Sequence, residues 1–474
     1  MYKLHLILKY LRKRRIAWVS LIAVTLCTAM VLVVISVMGG WLETFKSKFR
    51  GMSGDIVVWR NGRTGFSGYE EMIGRIKALP EIEEALPLIR TFGLINIKNQ
   101  IIEGVEVTGL DIERFSKFNS FRESLWRQYQ KPTDAGTKPP DIASFGLLPD
   151  VPYELVRPGD KQARQRPGII VGGPLVGMTK NKDGTVLEPD GLYEAWVRLE
   201  VVPISADFRS FKDAEPSANI YWIVDASRTQ LHQLDSNSVY VPFDTLQRDL
   251  KMTARTFVNT ETGQEETESA RCNEIQIKLK PGADPQATVA KVRQIVESVQ
   301  PPAFNPIRIE TWDRQPQQEK FLNAVENEKL LITILFGVIS VVAVFLIFCI
   351  LYMIVVEKTR DIGIVKSVGA TSGGVAAIFI GYGLAIGIVG ASAGFVTGWI
   401  FLHYINEIHQ GIARASGFYM WDPEIYAFDR IPNEMDPTTA IVVVVVAILS
   451  AVLGAVVPAI RAARLNPVEA LRFE

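Results

Sequence analysis

Long charge-free apolar runs constrain this chain more than any other feature of its sequence. The first extends from Ala17 to Met38. At about 1.5 Å per residue, a helix of that length covers the roughly 30 Å hydrocarbon layer of a bilayer. Three more, Leu330 to Val356, Gly373 to Leu402 and Ala440 to Ile460, crowd the C-terminal end. The last contains an unbroken valine run, Val442 to Val446, which also suits a buried strand. Its length favours a span.

Lys3, Lys9, Arg12, Lys13, Arg14 and Arg15 precede the first run. A secretory signal also begins with positive charge, but its apolar core is about 7–15 residues and ends at a small-residue cleavage site. Here the run leads into Val37-Met38-Gly39-Gly40-Trp41-Leu42 without an A-x-A site, so an uncleaved anchor is expected. Orientation follows from Lys and Arg in short flanks. Lys358, Arg360 and Lys366 lie between the second and third runs, and Arg461, Arg464 and Arg472 follow the fourth. The segment 403–439 carries only Arg414 and Arg430 against several acids. Both termini are therefore expected in the cytoplasm.

The expected layout is a cytoplasmic N-terminal segment (1–16), a first span (17–40), an extracytoplasmic domain (41–329) and a second span (330–356). A cytoplasmic helix (357–372), a third span (373–402), an outer loop (403–439), a fourth span (440–460) and a cytoplasmic tail (461–474) complete it. The fold class is an α-helical membrane protein with four transmembrane helices and an α+β extracytoplasmic domain between the first two. Net charge is zero, so no global field favours nucleic acid. Of the three cysteines, Cys27 and Cys349 lie in apolar runs, leaving Cys272 without an internal disulfide partner in the polar middle.

Both edges of the outer domain read as helices continuing out of the membrane, or more simply as amphipathic connectors. Trp41, Leu42, Phe45 and Phe49 recur at one-turn spacing, and Phe321, Leu322 and Val325 lead into the second span without Gly or Pro. Inside, Asp55 to Trp59 predicts a strand followed by a helix bearing Tyr69, Met72, Ile73, Ile76 and Leu79. A mirror unit has Asn273 to Leu279, a helix with Val289, Val292, Ile295, Val296 and Val299, and then Ile307 to Trp312. Gly168 to Val171, Tyr221 to Val224 and Val239 to Phe243 read as central strands, and 131–167 as a proline-rich surface insertion.

No phosphate-loop motif occurs, C-x-x-C is absent, and His5, His232, His403 and His409 make no metal-ligand pattern. Gly390-Ala-Ser392-Ala-Gly394 fits the serine-hydrolase G-x-S-x-G pattern, but that motif needs a strand-to-helix elbow. Gly383, Gly387, Gly390, Gly394 and Gly398 instead predict close helix packing in lipid. No catalytic, cofactor or metal site is expected in this chain.

Glu357-Lys-Thr-Arg-Asp-Ile-Gly-Ile-Val-Lys-Ser-Val-Gly-Ala-Thr371 is short, amphipathic and charged. Ile362, Val365, Lys366 and Gly369 are expected on one side, and the blander reading is a basic turn at lipid headgroups. The segment resembles the coupling helix of the type VII ABC permeases, the FtsX/MacB-like superfamily. That family holds the lipoprotein-releasing (Lol) proteins, the macrolide exporter and the cell-division permease. Lys9 to Arg15, Trp18 to Ile22, Val34 to Trp41, Glu310 to Trp312, Glu328-Lys329, Asp422 to Tyr426 and Arg430 to Pro432 are similar to a Lol permease. The tail Pro458 to Arg472 carries a family hallmark; locally, Asn466 suits a helix cap, Pro467 the first helical position and Glu469 the positive end. Ala23 to Cys27, which lacks the glycines expected there, and the 131–167 insertion depart from the Lol pattern.

The resemblance implies an extracytoplasmic domain of the macrolide-exporter type, placed in the periplasm, and an inner-membrane location. It implies a cytoplasmic ABC ATPase dimer that brings ATP and Mg, neither bound by this chain, and a second permease, identical or related. Glu357, Arg360, Asp361, Ile362, Gly363, Val365, Lys366, Gly369 and Ala370 would meet the ATPase, with Arg461, Arg464, Pro467 and Leu471 as tail contacts. The movement would pass through the stalks to release lipoproteins to a periplasmic carrier. The alternatives are efflux of amphiphiles or peptides with an adaptor and an outer-membrane duct, a non-transporting relay to a periplasmic hydrolase, and a membrane-anchored binding module.

Overall fold

The structure, a computed structural model, describes residues 15–60, 64–97, 101–131, 140–146, 162, 165–180, 185–203, 216–229, 231–258, 265–300, 306–416, 430–431, 433 and 435–472. It divides into two compact units, Met1–Phe45 with Leu322–Trp421 and Arg430–Glu474, and Lys46–Phe321 with Asp422–Asp429. Helix α1, Arg15–Met52, is unbroken through Gly39-Gly40 and carries Trp41, Phe45 and Phe49. The Trp41 and Phe45 rings lie 5.7 Å apart, as one-turn spacing dictates.

The second unit contains β1 (Ile56–Arg60), α2 (Tyr69–Lys77), β2 (Ile82–Ile97), β3 (Ile101–Leu110), α3 (Ile112–Phe118) and β4 (Gly168–Gly172). β5 (Trp196–Val201), β6 (Ser217–Ser227), β7 (Ser238–Pro242), α4 (Phe243–Asp249), β8 (Glu274–Leu279), α5 (Pro285–Val299) and β9 (Ile307–Thr311) follow. One nine-stranded sheet runs in the order β9-β1-β8-β2-β3-β7-β4-β6-β5. β5 also pairs back onto β2, Gly93 facing Val201 and Ile97 facing Val197. That pairing closes β2-β3-β7-β4-β6-β5 into a ring, which leaves those strands no free edge. Side chains alternate inward along it: Ile95 and Ile97, Val105 and Val107, Val197, Leu199 and Val201, Val239 and Val241 all join one core.

β2 belongs to both halves of the unit. Its first half pairs with β8, Leu88 opposite Glu274, and its second half with β3, Ile89 opposite Gly109. β1 lies antiparallel between β8 and β9, so the two predicted α/β units merge into one sheet. α2 buries Tyr69, Met72, Ile73 and Ile76, as its periodicity predicts, while Leu79 lies past its end. α5 buries Val289, Val292 and Val296. The predicted strands at 168, 221 and 239 are present; most of the 131–167 insertion lies outside the described residues. Where the chain enters this unit, buried Asp55 accepts from Arg50 Nε (2.9 Å) and from the Leu279 amide (3.0 Å).

The remaining elements are α6 (Pro316–Glu357), α7 (Thr359–Ser367), α8 (Ser372–His403), α9 (Ile405–Ser416), α10 (Pro437–Arg464) and α11 (Pro467–Arg472). Among the described residues, four helices, α1, α6, α8 and α10, are long and apolar enough to cross a membrane. α6 begins well before the expected span and buries Leu322 and Val325; the Phe321 side chain is outside the described set. The 403–439 segment, expected as a loop, includes helix α9. Asn406 there donates to the Ile431 carbonyl (3.2 Å) and accepts from its amide (2.9 Å). Residues 1–14 and 417–429, with several positions of the family resemblance, fall outside the described residues.

Candidate functional site

The charged segment between α6 and α8 folds as a separate helix because the chain turns sharply at both of its ends. Lys358, at φ −101° and ψ 12°, ends α6, and its ammonium pairs with Asp361 at 2.5 Å. The other end is a Schellman cap: the Gly369 amide donates to Lys366 O (3.1 Å) and the Ala370 amide to Val365 O (3.2 Å). This closure needs a left-handed residue, and Gly369 supplies it at φ +107°. Thr371 then caps α8, its hydroxyl accepting from the Gly374 amide at 3.1 Å.

α7 has two distinct faces. Ile362 is 7% exposed and packs with Val355 of α6, Val375 of α8 and Ala462 of α10, with Ala370 against the same cluster. Gly363 faces α11 so closely that a Cβ there would lie 2.8 Å from the Ala470 Cβ. Lys366 Nζ donates to the carbonyls of Ala463 (2.9 Å) and Leu465 (2.7 Å). The opposite face is solvent-exposed and consists of Arg360, Asp361, Ile364, Ser367 and Val368. Ile364 is 45% exposed and Val368 84%.

Among the residues expected to meet a partner, Arg360, Asp361, Glu357 and Gly369 are exposed. Val365 and Lys366 are half-buried, and Ile362 and Gly363 hold α7 against its neighbours. Gly369 lies beyond the helix rather than on its Ile362 side. Sequence reasoning missed Ile364 and Val368; their places four and eight residues after Arg360, on one helix face, were the available signal.

The tail follows the same logic. Asn466 Oδ1 accepts from the Val468 amide (3.2 Å), Pro467 opens α11, and Ala470 is 2% exposed. The Arg461 guanidinium lies 4.4 Å over the Tyr352 ring of α6, a cation–π contact, and Arg464 is exposed. Leu471 is helical; its side chain is outside the described set.

The glycine stripe of α8 serves two partners. A methyl group added at Gly383 or Gly387 would press on Ala455, Ala451 and Ile448 of α10. One added at Gly390, Gly394 or Gly398 would press on Val24, Thr25, Thr28 and Ala29 of α1. Thr25 Oγ1 donates to the Gly390 carbonyl across this seam (3.2 Å). Gly390 to Gly394 lies inside continuous α8, where no nucleophile elbow forms. α6 packs on α10 at Gly454, where a Cβ would lie 2.8 Å from the Val344 carbonyl oxygen. Beside that contact a hollow of about 270 Å³ lies between α6, α1 and α10, walled by Val24, Thr28, Phe336, Val344 and Val446 among others.

Residues 333–467 match the family described as FtsX-like permease C-terminal. The lipoprotein-releasing system transmembrane protein LolC of Xylella fastidiosa (strain 9a5c) is 27% identical over 169 residues, 36% of this chain and 40% of that protein. LolE of Haemophilus influenzae (strain Rd) is 34% identical over 130 residues, 27% of this chain and 31% of that protein. The chain thus spans less than half the length of these curated relatives. The crystal structure of the periplasmic region of MacB from Actinobacillus actinomycetemcomitans aligns at 10% identity and TM-score 0.30, covering 57% of this chain and 95% of that one.

Proposed function

Taking residues 333–467 as an FtsX-like permease domain of a type VII ABC transporter close to the Lol permeases, we propose that this chain is the membrane-spanning subunit on which a separate ATPase acts. One observation carries the reading: α7 is anchored on three sides and turns Arg360, Asp361, Ile364, Ser367 and Val368 outward. A charged pair beside two exposed aliphatic residues suits docking on a protein surface, where an apolar centre supplies affinity and charge fixes register. Nucleotide and Mg are bound by the ATPase, and closure of its dimer pushes α7.

In this proposal both termini and α7 are cytoplasmic, and the Lys46–Phe321 unit is periplasmic. α1 and α6 continue beyond their apolar stretches, so motion of their inner ends has an unbroken helical path outward. A second permease, identical or related, completes the complex. The similarity to LolC and LolE supports lipoprotein release toward a periplasmic carrier as the work performed. Amphiphile efflux and relay to a periplasmic hydrolase use the same coupling and differ in what copurifies.

The test is mild-detergent extraction of the chain from its own cells, with mass spectrometry and ATP-hydrolysis assay of what copurifies. The wild-type chain is expected to bring an ABC ATPase and the Ile364→Glu variant to lose it. An extracted wild-type complex without ATP hydrolysis, or a variant that retains the ATPase, overturns the docking reading.

A further inference from the structure

Lys366 reaches out of its own helix into the end of another. Its ammonium donates to the carbonyls of Ala463 and Leu465, 2.9 and 2.7 Å away, at the C-terminus of α10. Carbonyls there have no intrahelical partner, and a cation meets the negative end of the helix dipole. One turn earlier on α7, Gly363 lies against Ala470 of α11, and Ile362 packs on Ala462 of α10. Next to Ala462 on α10, Arg461 covers the Tyr352 ring of α6. α7 also joins α6 and α8 through the backbone at Lys358, the Gly369 cap and the packing of Ile362 on Val355 and Val375, so Lys366 is what adds α10 by hydrogen bonds.

We propose that Lys366 is a positioning residue that welds α7 to α10 and α11, so that load received on the Ile364–Val368 face passes directly into the fourth span as well as into the adjoining α6. This rests on the proposed docking of an ATPase and adds to it the route of the force. Lys366 belongs to the transmission and not to the docking face, because its ammonium is directed at two carbonyls of this chain.

The experiment uses the full chain in detergent, alone and with its copurified ATPase. Lys366→Met keeps the aliphatic stem and removes the ammonium. Exchange of backbone amides in residues 465–472 is expected to rise about tenfold or more, since two charge-assisted hydrogen bonds are lost. Lys366→Arg restores protection. Gly363→Ala, which presses on Ala470, loosens the same segment by an independent route. With the ATPase present, Lys366→Met retains association within about twofold yet loses most of the stimulation of ATP hydrolysis that the wild-type chain gives over the ATPase alone. Unchanged exchange in Lys366→Met, or full stimulation despite raised exchange, overturns the proposal. Because exchange is read without the ATPase, loss of the docking reading through Ile364→Glu is distinguished from loss of the weld.

Discussion

Replacing Gly394 by alanine tests the seam between α8 and α1. The added methyl would lie 2.7 Å from the Thr25 carbonyl oxygen and 2.7 Å from the Thr28 Cβ. Comfortable carbon contacts are about 3.5–4.0 Å, so the helices must part by roughly 1 Å. Thr25 O is backbone, and no rotamer change relieves it. Overpacking of this kind costs about 1–3 kcal/mol, against about 1 kcal/mol gained in helix propensity. Gly398→Ala meets α1 no closer than 3.3 Å, and Gly337→Ala meets nothing within 4 Å. The expected stability order is therefore Gly337→Ala, then Gly398→Ala, then Gly394→Ala, the last below the first by about 1–3 kcal/mol. Reversible denaturation of the purified chain in mixed micelles measures it. Equal stability of Gly394→Ala and Gly337→Ala would refute close approach as the reason for the stripe.

Three further outcomes are expected. Gly369 has open space around it but φ +107°, so Gly369→Ala is expected to weaken the α7 cap by about 1–2 kcal/mol and nearly as much as Gly369→Leu; amide exchange at Ala370 reads both, and a far larger leucine effect would put bulk above conformation. Asp225 is buried, and desolvation pushes its carboxyl up to about 6 despite hydrogen bonds from the Arg127, Gln128 and Ala226 amides and the Gln128 side chain. A raised folded-state pKa means that its stabilising contribution is complete below about pH 4 and is lost as pH rises through 6. The wild-type minus Asp225→Asn stability difference should fall by about 3 kcal/mol over that window, and a flat difference in denaturation midpoints would contradict this. In a background lacking Cys27, Cys272 and Cys349, exposed Glu297→Cys should react with impermeant maleimide from the periplasm and Ser367→Cys only after the inner membrane is opened; the reverse pattern would invert the proposed topology.

The spans were legible because lipid imposes one simple demand, uncharged length, and α1, α6, α8 and α10 each meet it locally. The α11 start was legible for a similar reason, since Asn466 and Pro467 act within one turn. The ring of strands was not. β2 includes Pro87 and Gly93, which blur a strand pattern, and its closure joins residues such as Ile97 and Val197 that only tertiary structure brings together. The faces of α7 were half legible: amphipathicity was visible, but which side is inward depends on Ala462, Ala463 and Ala470, about a hundred positions away. Ile362 and Gly363 therefore serve the protein's own packing, and Ile364 and Val368 carry the exposed surface.

The glycine stripe also distributes freedom among the four long helices. α8 meets α1 and α10 largely through backbone, glycine and alanine atoms and the Cβ atoms of Val24 and Thr28, which no rotamer change moves out of the way. Those three helices form a stiff plate. α6 borders a hollow along part of its length but joins the plate at one equally close point, where a methyl on Gly454 of α10 would lie 2.8 Å from the Val344 carbonyl oxygen.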